Sequence, residues 1–156
     1  MNKLQELHMV PLASPVDTAA TTVSSDVIGV KEALEIELDV LFGTITGDTV
    51  VVTIEECDDT TPTNTTAIAF NYQKSSAVGT DTMGAVTAAT TAGVTIAATD
   101  DDKLLRCFVD PDALTAGYPY LRVVANPGAS ASAVEIAIWA ILRDRYPQEV
   151  PISAVD

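Results

Sequence analysis

Positive charge is scarce in this chain. Eight Lys plus Arg stand against 22 Asp plus Glu in 156 residues, a formal net charge of −14. The cations Lys3, Lys31, Lys74, Lys103, Arg106, Arg122, Arg143 and Arg145 are dispersed, and only Arg143 and Arg145 come close together. Gripping a phosphate backbone needs clustered cations, so nucleic acid is excluded as a partner. Cysteine is nearly absent too: Cys57 and Cys107 are too few for a disulfide scaffold and form no CxxC pair. They read as two small buried hydrophobes, with a bridge between them left open. The longest apolar run, Ala133 to Leu142 interrupted by Glu135, falls short of the roughly 20 residues of a spanning helix, so no membrane is expected. Met1 to Glu6 shows no basic stretch followed by an apolar block, so no secretory signal is expected.

Catalytic groups are equally thin. His8 is the one histidine, and it lies in a segment without period, where no packed shell would hold it beside a nucleophile. Asp58-Asp59 and Asp100-Asp101-Asp102 lack the alternating spacing that aims several oxygens at one Ca²⁺. Adjacent carboxylates of this kind are solvated turn formers. No phosphate loop, zinc spacing or nucleophile elbow occurs. Asn64-Thr65-Thr66 matches a glycosylation sequon without a visible secretory route. The expectation is no enzyme, no cofactor and no metal.

What the chain does have is apolar residues in strand order. Hydrophobic residues make up 47%, enough for one domain that buries about 70% of its unfolded surface. In Leu34-Glu35-Ile36-Glu37-Leu38-Asp39-Val40 apolar and acidic residues alternate, which predicts a half-buried strand with the leucines, isoleucine and valine on one face. Val50 to Ile54 follows across Gly43 and Gly47, and a hairpin is the simplest connection. Ile68, Phe70 and Tyr72 alternate again; Val94 to Ala98, Leu104 to Val109 and Tyr120 to Val124 read as further strands. Val134 to Leu142 reads as a strand buried on both faces. Asp110, Pro111 and Gly117 carry the cap, first-turn and stop chemistry of one short helical turn. The predicted fold is all-β, an antiparallel β-sandwich or jelly-roll-like barrel with that one helical turn. Residues 1–24 read as an extended N-terminal arm, because Pro11 and Pro15 break any period. Residues 25–146 form the sandwich, and 147–156, with Pro147 and Pro151, a C-terminal tail.

The apolar arm residues Leu4, Leu7, Met9, Val10 and Leu12 either reach a neighbouring subunit or fold back over their own domain. With Tyr118 and Tyr120 they are the candidate contact residues; Trp139 is a further aromatic to weigh, with the core as its usual place. Several segments carry a resemblance: Ser25-Asp26-Val27-Ile28-Gly29-Val30-Lys31, Val51-Val52-Thr53-Ile54-Glu55, Phe70-Asn71-Tyr72, Asp110-Pro111-Asp112-Ala113-Leu114, Gly117 to Arg122, and Arg145-Tyr146. From about Ser25 to Tyr146 the chain resembles the small β-rich virion proteins of tailed double-stranded DNA bacteriophages. The resemblance implies a head decoration, or cement, protein made in the bacterial host cytoplasm. It would dock on the outside of the phage head, bind the major capsid protein and associate as a homotrimer. The alternatives are a tail or neck component, or a carbohydrate-binding adhesin module. An adhesin needs a platform of exposed aromatics, and the chain has only four Tyr, three Phe and one Trp.

Overall fold

The computed structural model describes residues 7–145 and 154–155. Thirteen strands run in chain order as β1 (His8–Asp17), β2 (Val23–Ser24), β3 (Val27–Gly29), β4 (Ala33–Thr46), β5 (Val50–Cys57), β6 (Thr65–Ile68) and β7 (Phe70–Lys74). They continue as β8 (Thr87–Ala89), β9 (Val94–Ile96), β10 (Leu104–Val109), β11 (Tyr120–Pro127), β12 (Ala133–Asp144) and β13 (Ala154–Val155). They form a six-stranded sheet, β1-β12-β4-β10-β7-β8, and a seven-stranded sheet, β13-β3-β11-β5-β6, with β2 on β11 and β9 on β5. Among the described residues these strand pairings are all antiparallel.

Eight of these strands pair as one long folded hairpin. β3 meets β11, β4 meets β10, β5 meets β9 and β7 meets β8, so first joins last and each inner pair nests within the next. β11 also joins β5, and β10 also joins β7, which rolls the hairpin into the rows β3-β11-β5-β9 and β4-β10-β7-β8. That is jelly-roll connectivity. β12 and β1 extend the second row beyond β4. The edge strand β1 carries Pro11 and Pro15, neither of which can donate to a ladder.

The core is the space between the two sheets. Alternation along β4, β5, β11 and β12 sends Ile36, Leu38, Val40, Val52, Ile54, Leu121, Val123, Ile136, Ile138 and Leu142 inward, each at most 3% exposed. The acid-alternating segment is thus a strand, as its period of two predicts. One member departs. Arg143 lies opposite Glu35 and Asp144 opposite Ala33, so a bulge leaves Leu34 without a partner and turns it outward, 41% exposed. β12 is the strand expected over residues 134–142, but only its inner face is fully buried: Ala137, Trp139 and Ile141 are half-buried. The predicted helical turn is a 3-10 turn, Pro111–Ala113, whose Asp110 carboxylate accepts from the Asp112 amide.

One expectation is corrected, and one alternative left open is decided. Residues 8–24 fold back over their own domain. β1 pairs along β12, and Val10 (5% exposed) and Leu12 (1%) point into the chain's own core, so neither is a surface contact. The prolines had masked a period of two that suits an edge strand. Val50 to Ile54 does not form a hairpin with the strand before it: β4 and β5 belong to different sheets. The crossing passes Gly47 at φ +93, where a Cβ would meet the Ser130 carbonyl oxygen at 2.4 Å. In the C-terminal tail, Ala154–Val155 pairs with β3, while residues 147–153 lie outside the described residues.

Removing residues 1–17 should therefore damage the domain itself. Burial of Val10 and Leu12 stabilises by about 3 kcal/mol or more together, and loss of β1 bares the edge of β12. Aggregation or a lowered urea midpoint is expected; a soluble monomer with an unchanged midpoint would place β1 off the body.

Candidate interaction surface

Residues paired across neighbouring strands share a face. On the outer face of the six-stranded sheet the register sets out rows. Met9, Ile141, Glu37, Phe108 and Asn71 form one; Pro11, Trp139, Asp39, Arg106 and Gln73 the next; Ala137, Leu41 and Leu104 a third. Met9 is 64% and Leu41 42% exposed. Two shallow depressions, of ≈ 500 and ≈ 480 Å³, lie at either end of this face. Leu7, Leu34, Phe108 and Ile141 line the first; Pro15, Leu41 and Ala137 line the second.

Ionised groups within this face pair with one another. Arg106 Nε and Nη2 donate to the two Asp39 carboxylate oxygens at 3.1 and 3.3 Å, and Nε lies 2.7 Å from Glu37 Oε1. Asp39 is only 2% exposed, and the guanidinium fork meets both of its oxygens. Burial, and then the neighbouring Asp39 charge, push the Glu37 carboxyl up, against the pull of Arg106. Arg143 and Glu35 form a more exposed pair at 3.2 Å. Removing one partner of a buried pair strands the other, whereas an exposed pair contributes little. Arg106→Met is expected to lower the unfolding free energy by about 3 kcal/mol and Arg143→Met by less than about 1 kcal/mol, read from urea curves. Equal effects would mean that Asp39 gains little from its partner.

The structure separates the predicted contact residues. Leu7, 56% exposed, and Met9 lie on the outer face of the six-stranded sheet, and Leu4 lies outside the described residues. Tyr118 and Tyr120 are half-buried and belong to the other side of the sandwich: Tyr120 opens β11 opposite Gly29, and the Tyr118 amide closes a turn on the Thr115 carbonyl. The two groups are not brought together. Ile141 and Phe108 were legible only as strand members and Trp139 as an aromatic with the core as its usual place, because the partners that set them in one face with Leu41 are distant in sequence. His8 sits on β1 opposite Leu142. Burial pushes the nearby Asp144 carboxyl up, the His8 charge works against it, and Glu32 adds to it.

The acidic loops are spent on backbone amides. Asp101 accepts from the Ile45 amide, Asp48 from Thr49 and Ser130, Asp17 from Val134 and Glu56 from Thr115. Asp58 binds the Asn64 side chain, which holds its carboxyl below the ordinary range. Among the described residues no group of three His, Cys, Asp or Glu is placed to hold a metal ion. Cys57 and Cys107 are both free and buried, and burial pushes the Cys57 thiol up to about 11. At Asp100, burial raises the carboxyl, but the ammonium groups of Lys74 (2.8 Å) and Lys103 (3.0 Å) outweigh it and hold the group below its usual 3.8. A depressed carboxyl contributes stability above its unfolded value, and that stability is lost as pH falls through the folded one. The unfolding free-energy gap between wild type and Asp100→Asn should be full at pH 7 and shrink below pH 3.8. A gap independent of pH would show that the ion pairs are not its source.

No family model matches the chain, and no curated protein matches it. Solved structures of infectious bursal disease virus are similar over most of this chain. The Gt strain structure has 12% identity and a TM-score of 0.28, covering 96% of this chain and 43% of that one. The T13 viral particle has 14% identity and a TM-score of 0.29, covering 92% and 40%. The VP2 subviral particle has 14% identity and a TM-score of 0.26, covering 92% and 42%. The chain thus spans about two fifths of the length of the matched viral chains.

Proposed function

We propose that this chain is a structural virion protein that docks on the outside of a tailed-phage head and staples neighbouring major capsid subunits. The observation that carries the reading is the eight-strand jelly-roll nest, an architecture used in viral capsids and in lectins. Of those two uses, the shell component suits this chain better. A lectin platform needs exposed aromatics, and Tyr118, Tyr120, Trp139 and Phe108 are all half-buried. Clamping needs rigidity, and acids tied to backbone amides stiffen the loops at the ends of the sandwich. The working part is then the stiff sandwich, since residues 8–24 belong to the sheets.

The test mixes purified protein with phage shells lacking it. Stoichiometric binding is expected, with a shell melting temperature that rises with protein concentration. At a free concentration of 100 times Kd, bound shells gain about 2.7 kcal/mol per site. Binding to tails or necks instead of heads would relocate the protein in the virion. Binding on a sugar array without shell affinity would overturn the reading.

A further inference from the structure

We propose that the cavity between the β6–β7 crossing and the 3-10 turn after β10 is a binding site for a primary ammonium group on a short alkyl stem. Three carboxylates are buried among the described residues: Asp39, Glu56 and Asp100. Asp39 meets Arg106, and Asp100 meets Lys74 and Lys103. Glu56, 3% exposed, meets no cation among the described residues. Its burial follows from the period of two. It continues the inward series Val50, Val52 and Ile54 along β5, opposite the fully buried Leu121 of β11. Arg122, the cation of that ladder, serves Glu55 on the other face. Glu56 Oε2 accepts from the Thr115 amide at 2.8 Å, the one hydrogen bond of this side chain among the described residues.

The Glu56 carboxylate borders a cavity of ≈ 400 Å³, within the size range of small-ligand sites. Ile68, Phe70 and Leu114, which pack on the core, give it an apolar wall, and the exposed Asp110 also lines it. A charge taken out of water costs least when an opposite charge meets it. Two carboxylates beside an apolar wall, with no Lys or Arg in the lining, complement a cation that carries its own apolar stem. Ammonium fits better than guanidinium. Each carboxylate already gives one oxygen to a backbone amide, Glu56 to Thr115 and Asp110 to Asp112. Neither offers two free oxygens to a planar fork, whereas an ammonium is a point charge with rotatable donors. The group comes either from a free alkylamine or from a lysine side chain presented by another protein.

Titration of the isotope-labelled full chain with n-butylammonium, followed by NMR at the Leu114 and Thr115 amides, tests this. Saturable shifts are expected, with n-butanol, butyrate and n-butylguanidinium each binding at least about 10-fold more weakly. Glu56→Gln keeps an acceptor for Thr115 while removing the charge, and should cost a similar factor. Asp110→Asn keeps the cap of its turn and, at an exposed position, should cost less. The ligand series on the wild type carries the test even if Glu56→Gln loses its fold. No saturable shift with n-butylammonium, equal binding of any control, or an unchanged affinity in a folded Glu56→Gln would overturn the inference. Competition between n-butylammonium and phage shells identifies a shell lysine as the source, and indifference identifies a free amine. Shell binding by the wild type is scored separately, so its failure overturns only the virion reading.

Discussion

Everything in this molecule depends on burying one set of alternate residues between two sheets. β4 shows the constraint most clearly. Its inward positions Ile36, Leu38, Val40 and Phe42 are at most 3% exposed, and it lies between β12 and β10. A shift of one residue in either pairing would carry those side chains out and the carboxylates in. The register is therefore set by the core, and the two bulges in the β4–β12 ladder are places where the chain corrects the count. One turns Leu34 outward. The other sets Glu135 beside Gly43, where its carboxylate accepts from the Thr44 amide.

The same constraint explains how the fold carries a net charge of −14. Negative charge that stayed free would repel across a body this small. Instead many carboxylates take up amides left unpaired at strand ends, as at Asp17, Asp48 and Asp101, or meet a guanidinium, as at Asp39 and Glu55. Each such bond is stronger than its neutral counterpart because one partner is ionised. An acidic composition thus becomes a set of loop fastenings, and the cations are kept for half-buried positions such as Arg106 and Arg122.

The outer sheet face follows from topology more than from composition. β12 and β1 lie outside the eight nested strands, and their inward residues close the core beyond β4. Widening the sheet leaves a broad outer surface whose apolar members have nothing from their own domain above them. Pairing of Arg106 and Arg143 within that surface lowers its charge without lowering the charge of the whole.

The amino-acid order by itself determined the strands β4, β5, β7, β9, β10, β11 and β12 and the short turn at Asp110-Pro111, because each rests on local period or local capping chemistry; the burial of both cysteines follows from their small apolar character. Three matters were decided only by the tertiary structure. Val10 and Leu12 belong to the core because β12, more than a hundred residues on, supplies the partner strand. β4 and β5 part into separate sheets because each finds a better neighbour far away in sequence, in β10 and β11. Trp139, Leu41, Phe108 and Met9 share one face because four distant strands align. Period two says that a side chain points up or down, and only long-range pairing says which strand lies beside it.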